Sequence, residues 1–149
     1  MAKGPPKTVA LDHDDYYAKH VGKTGDGRQF FYTNPFIPAS DTSEGREYLA
    51  LYLFDKEGKL LEAQIEDMGT RATIDQTAYT ARVQEVLATL GKIKHGRIKM
   101  APFSVERFGV QFGLIPQPPE EDGDDWSVIV EPGNYMCFIP PWSSGEYDT

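Results

Sequence analysis

Cysteine is almost missing from this chain: Cys137 is the one thiol in 149 residues. A lone cysteine makes no internal disulfide, so the fold does not depend on an oxidising compartment. Positive charge is also scarce, with 15 Lys and Arg against 23 Asp and Glu and a net charge of −8. That balance argues against nonspecific binding to nucleic acid or anionic membrane, both of which reward a basic face. No window reaches the roughly 18 consecutive apolar residues of a membrane helix, and the opening MAKGPPKTVALDHDD lacks the apolar run of a signal peptide. The expectation is a cytoplasmic protein that engages neither nucleic acid nor membrane.

What is present reads as globular. Hydrophobic residues make up 40% of the chain and aromatics 12%, enough for a buried core. One domain is expected over residues 1–149. Gly4, Pro5 and Pro6 make residues 1–7 a loose arm, and residues 140–149 form an irregular tail that Trp142 and Tyr147 pin to the body.

Two hairpins stand out. Tyr16–Val21 and Gln29–Thr33 are β-prone and are joined by GKTGDGR, whose Asp-Gly pair suits a turn with positive φ. Glu47–Asp55 and Lys59–Asp67 flank DKEG, with Asp55 as a turn acceptor and Gly58 in the left-handed position. Tyr48, Ala50, Tyr52 and Phe54 share one face, and Leu49, Leu51 and Leu53 the other. A strand apolar on both faces is covered on both sides. Between the hairpins, Pro35 and Pro38 make Asn34–Gly45 a long surface loop.

Helical spacing of Tyr79, Val83, Val86, Leu87 and Leu90 predicts one helix over 74–90. Thr73 and Gln76 match a capping box, and Gly91 a stop. Arg82 and Gln84 fall off the stripe, toward solvent. Further strands are expected at Ile93–Met100, Gly109–Ile115, Trp126–Val130 and Tyr135–Ile139, the last two joined by a Pro132–Asn134 turn. The fold class is α+β: a mostly antiparallel sheet of about six to eight strands with one main helix packed on it.

Candidate chemistry is thin. Gly22-Lys23-Thr24 imitates the end of a nucleotide loop, but Tyr17 stands where the first glycine belongs and a strand follows instead of a helix. Asp26 would also repel a phosphate held there. Asp12, His13, Asp14, Asp15 and His20 are metal-ligand types, yet only His95 remains elsewhere to complete a shell. No metal and no cofactor is expected. In EEDGDDW the residue six beyond Gly123 is Ile129 rather than the Glu of a calcium loop. Ser104 lacks the glycines of a nucleophile elbow, and Cys137 lies in the apolar YMCFIP.

The layout DGRQFF…EYLALYLFDKEGKLLEAQIEDMGTR, with FSVERFGVQFGL and PGNYMCFIPPW further on, resembles a group of small uncharacterised bacterial proteins. Some members of that group carry the label formate hydrogenlyase regulatory protein. The resemblance implies a small bacterial domain and transfers no catalytic motif.

The leading expectation is therefore a non-enzymatic protein-binding or regulatory domain, in its most specific form an immunity- or antitoxin-like protein. Phe36 and Trp142 flank prolines in loops and suit an exposed patch. Glu120, Glu121, Asp122, Asp124 and Asp125 would steer a basic protein toward it. The alternative is a small-molecule-binding or hydrolytic enzyme with a pocket between sheet and helix. Arg71 stands beside the helix N-terminus, paired with Asp67 or Asp75 or meeting an anion, and Glu66 and Glu106 are the accompanying polar groups.

Overall fold

The structure, a computed structural model, describes residues 4–133 and 136–149. Their elements run β1 (Val9–Leu11), β2 (His20–Thr24), β3 (Gln29–Thr33), β4 (Phe36–Ile37), β5 (Arg46–Phe54), β6 (Leu60–Gly69), α1 (Gln76–Thr89), β7 (Ile93–His95), β8 (Ile98–Met100), β9 (Phe103–Arg107), β10 (Val110–Gln117), β11 (Ser127–Glu131) and β12 (Cys137–Phe138). No described helix is long and apolar enough to cross a membrane.

Both expected hairpins form, and they share one loop design. Thr24 N–H donates to Arg28 O and Gly27 N–H to Thr24 O, while Asp55 N–H donates to Lys59 O and Gly58 N–H to Asp55 O. Each is a three-residue loop whose last residue is a left-handed glycine, at φ +87° for Gly27 and +93° for Gly58. Gly22 is required for a different reason. A Cβ there would run into the Lys94 carbonyl of β7, which pairs with β2 at Gly22–Thr24. The Gly-Lys-Thr run is strand.

The first hairpin begins later than its sequence indicates. Asp14 Oδ1 accepts from the N–H groups of Tyr16 and Ala18 at 2.8 and 2.9 Å, which turns the chain and delays β2 to His20. The stretch after β3 is also more ordered than its prolines imply. β4 pairs with β5 through Phe36↔Glu47 and Ile37↔Arg46, in the register set by Gln29↔Phe54 and Thr33↔Ala50. Pro35 has no N–H, but its carbonyl accepts from Tyr48 N–H at 2.9 Å. The break costs one donor and leaves the pairing in step.

One sheet of six to eight strands does not describe the arrangement. Three antiparallel sheets of six, four and two strands form instead: β7-β2-β3-β5-β6 with β4 extending β3's side of β5, β9-β10-β11-β12, and β1-β8. The expected strand at 93–100 splits around Gly96 and Arg97, so that β7 joins the first sheet and β8 the third. β1 and β9, not expected from the sequence, complete the small sheets. Asn134 and Tyr135, placed by the sequence in a turn and a strand, lie outside the described residues.

The six-stranded sheet is the middle layer. On one side Phe31, Ala50, Tyr52 and Phe54 meet Leu114, Val128, Val130 and Phe138 of the four-stranded sheet and Val9, Leu11, Ile98 and Met100 of the β1–β8 pair. On the other, Phe30, Tyr32, Leu49, Leu51 and Leu53 pack under Tyr79, Val83, Val86, Leu87 and Leu90 of α1. Each fully buried Leu or Phe contributes roughly 1.5–3 kcal/mol, so both faces of β5 carry weight. The helix is capped by Asp75, whose Oδ1 accepts from Thr77 and Ala78 N–H. Thr73 is not the cap, because it is held by Thr70 one turn earlier. The tail is pinned as expected: Trp142 and Tyr147 pack on the larger core, and Asp148 exchanges two backbone hydrogen bonds with Cys137.

Candidate functional site

The first hairpin places His20 opposite Tyr32 on the helix-facing side of the sheet, with ring centroids 6.0 Å apart. Thr33 and Asn34 follow where the Asn34-Pro35 step interrupts regular pairing, and the first turns of α1 bring Tyr79, Thr80 and Val83 over them. Tyr16 and Tyr17, their tilted rings 4.2 Å apart between centroids, close the side. Together these residues line a cavity of about 410 Å³ between sheet and helix, with Asp15 and Lys19 also in its wall.

The wall mixes apolar and polar surface, and its titratable groups His20, Tyr32 and Tyr79 are shifted toward their uncharged forms. Burial, with the charges of His95, Lys19 and His13, pushes His20 below its ordinary value, so the neutral imidazole is favoured. Burial first and the Glu66 carboxylate second push the Tyr32 phenol up. Burial holds Tyr79 up at about 12, while a side-chain hydrogen bond with Asn34 opposes the shift. The Tyr32 hydroxyl is buried without a hydrogen-bond partner among the described residues. An orphaned buried hydroxyl beside a cavity is suited to a ligand atom that completes it.

The residues singled out in the sequence are distributed around the molecule. Glu66 on β6 is bound by Arg82 of α1, with Nη2 2.7 Å from Oε1. Arg71 does not pair with Asp67 or Asp75. Asp67 is held by Arg46 and Asp75 by the helix N–H groups, so Arg71 turns to Glu47 at 3.5 Å and lies 4.8 Å over the Phe36 ring. Burial raises the Glu47 carboxyl and Arg71 opposes that shift. Phe36 is thus half-buried rather than openly exposed. Glu106 sits outward on β9, opposite Gln111, in another sheet from Glu66. Glu66 and Arg71 belong to the helix side of the middle layer, and Glu106 does not join them.

Glu120, Glu121, Asp122, Asp124 and Asp125 are exposed in the loop from β10 to β11. Glu120, Asp124 and Asp125 line a shallow depression with Trp126 and the 54% exposed Ile139. Trp142 is half-buried and lines a separate cavity at the far end of the hairpins. Among the described residues, no three His, Cys, Asp or Glu side chains gather as a metal site. His13 instead meets His95 in a tilted ring contact, with centroids 4.8 Å apart. Asp14 is engaged by Tyr147.

The principal residues of the sheet–helix cavity, His20, Tyr32, Asn34 and Tyr79, were not picked out as a group by sequence reasoning. The hairpin register contains the His20–Tyr32 pairing, but nothing local to either segment brings Tyr79 onto it. Comparison with protein-family models, curated proteins and solved structures finds no match to the chain.

Proposed function

We propose that this chain is a non-enzymatic binding domain whose cavity between sheet and helix holds a small uncharged molecule. The observation that carries the reading is Tyr32, which lines the cavity and whose hydroxyl is buried without a hydrogen-bond partner among the described residues. A buried hydroxyl without a partner costs roughly 1–3 kcal/mol, and a ligand hydrogen-bonding to it would recover part of that. The neutral His20, the Tyr79 phenol and the Asn34 amide supply further hydrogen-bonding edges, and Leu49 and Val83 supply an apolar face. This suits a ring or short chain with hydroxyl or carbonyl groups and no net charge. Its output would be regulation through occupancy.

The test is a thermal-shift screen with uncharged hydroxylated and aromatic compounds on wild type and Tyr32→Phe. Compounds that raise the wild-type Tm and lose at least tenfold in affinity for the variant support the reading. Hits that bind both proteins equally would remove it.

A second reading, a basic protein docking on the acidic loop, is favoured by one observation. Glu120, Glu121, Asp122, Asp124 and Asp125 are exposed and form no ion pair among the described residues. Glu120, Asp124 and Asp125 line one depression with the half-buried Trp126 and the exposed Ile139. A low-salt pull-down from the native host should then recover a stoichiometric basic protein, and replacing the five acids by Asn and Gln should release it. Recovery of no such protein would count against this second reading.

A further inference from the structure

The two hairpin loops lie side by side. A Cβ built on Gly27 would stand 3.4 Å from Lys56 Cε of the other loop. Behind them, Gln29 is fully committed: its Nε2 donates to Asp55 O and Lys99 O, and its Oε1 accepts from Lys99 N–H. Gln29 thereby ties the β5–β6 loop to β8 and forms a rigid floor. Arg97 is equally occupied, with two donors on Asp12 and one each on Ser143 O and Ser144 O. Those bonds, with Ala10 N–H donating to Trp142 O at 2.9 Å, tie the Trp142 segment to β1 and to Arg97 as part of the cavity wall.

The open cavity measures about 640 Å³, within the range of small-molecule sites. Lys23, Lys56, Lys99 and Arg97 line it, and no Asp or Glu does. That concentration is notable in a chain carrying 23 acidic and 15 basic residues. The three lysines are exposed and make no ion pair among the described residues. Asp26, the nearest acid in the first loop, is turned away onto Thr24 and Arg28 and does not line the cavity.

We propose that this cavity binds a small molecule carrying a di- or triphosphate and a flat ring, the phosphates on Lys23, Lys56 and Lys99 and the ring against Trp142. A single carboxylate would be satisfied by one ammonium. Three uncompensated ammoniums around one concavity match several anionic oxygens, and lysine binds phosphate as a mobile point charge. The Trp142 indole offers the apolar surface on which a planar ring stacks. This site needs neither a glycine-rich phosphate loop nor a helix N-terminus. It lies on the other side of the sheet from the sheet–helix cavity, so either site can fail without the other.

The experiment is calorimetric titration of the full chain with adenosine triphosphate and with inorganic triphosphate, at low salt without divalent metal. Lys23→Gln/Lys56→Gln/Lys99→Gln and Trp142→Phe are the variants, each checked for an unchanged circular dichroism spectrum. Saturable binding of both probes, weakened at least tenfold by the triple substitution, is expected. Trp142→Phe should weaken the nucleotide several-fold and leave inorganic triphosphate within twofold. No saturable binding at millimolar ligand, or equal binding by the triple variant, would overturn the site. Equal loss of both probes on Trp142→Phe would overturn the ring contact.

Discussion

The Tyr147 hydroxyl donates to Asp14 Oδ2 at 2.6 Å and accepts from Tyr17 N–H at 3.1 Å, joining the tail to the segment that enters β2. Asp14 thereby accepts three hydrogen bonds, since its Oδ1 already takes the N–H groups of Tyr16 and Ala18. Burial opposes its ionisation, but the hydrogen bonds from Tyr147, Tyr16 and Ala18 outweigh that and hold the carboxyl below its ordinary 3.8. The same segment carries Tyr16 and Tyr17, which line the sheet–helix cavity. One bond therefore links chain end, turn and cavity wall.

Tyr147→Phe keeps the ring and deletes that bond. It should cost about 1 kcal/mol, read as a lower urea midpoint with an unchanged m-value. The pH dependence has a definite sign. A depressed carboxyl contributes stability above pH about 3.8 that is lost as pH falls through its folded value. The variant should lose less stability on acidification than wild type.

Tyr32 and Tyr52 give a paired prediction. Both hydroxyls are buried without a partner among the described residues, and burial pushes both phenols up. Tyr52 lies in the sandwich core against Phe31 and Phe103, with ring centroids 6.2 and 4.7 Å away. Removing an unsatisfied hydroxyl while keeping the ring is neutral to stabilising, by up to about 1–2 kcal/mol. Tyr52→Phe and Tyr32→Phe should each hold or raise the ligand-free Tm, and only Tyr32→Phe should alter binding in the sheet–helix cavity. A Tm drop of several degrees in Tyr32→Phe would mean that its hydroxyl is satisfied in solution.

The two hairpin glycines separate conformational strain from crowding. Gly27 and Gly58 occupy the same left-handed place in equivalent loops. A Cβ on Gly27 meets only the flexible end of Lys56 at 3.4 Å, whereas on Gly58 it meets the Lys99 carbonyl at 2.7 Å. Gly27→Ala should cost the left-handed penalty, roughly 1–2 kcal/mol. Gly58→Ala should cost more, because β8 must also move. Equal midpoints for the two variants in chemical denaturation would show that the β8 contact yields freely.

What the sequence conveyed about this fold was whatever depends on short range. The two glycine-bearing hairpin turns, the two-faced β5 and the helix stripe all follow from residues close in the chain. Pairing between distant segments did not. Ile93–Met100 reads as one strand because nothing in its side chains records that its halves join different sheets. The β4 pairing was hidden because prolines normally end a strand, and here the missing donor at Pro35 falls where its carbonyl alone is used. Arg71 was assigned to sequence neighbours, while its carboxylate partner, Glu47, comes from across the sheet. Both cavities are products of such distant contacts. Lys23 falls within the GKTGDGR linker in the sequence, and only the second hairpin, β8 and the tail make it part of a cavity wall.

His20 provides the last prediction, and its sign is opposite to that of a histidine in an ion pair. Burial first, then the charges of His95, Lys19 and His13, hold it below its ordinary value of 6.5, so the folded protein prefers the imidazole uncharged. Between the folded and unfolded values the unfolded chain binds the extra proton. Stability from His20 is therefore complete above pH about 6.5 and is lost as pH falls through the folded value. His20→Gln has no ring to protonate, and it retains hydrogen-bonding capacity opposite Tyr32. Unfolding free energies measured from pH 8 to pH 5 should decline less steeply for His20→Gln than for wild type. His13 and His95 are present in both proteins, so the difference between the two curves reports His20 together with its coupling to them. Parallel curves would mean that His20 takes up its proton in the folded protein as readily as in the unfolded chain, and that the cavity wall tolerates charge.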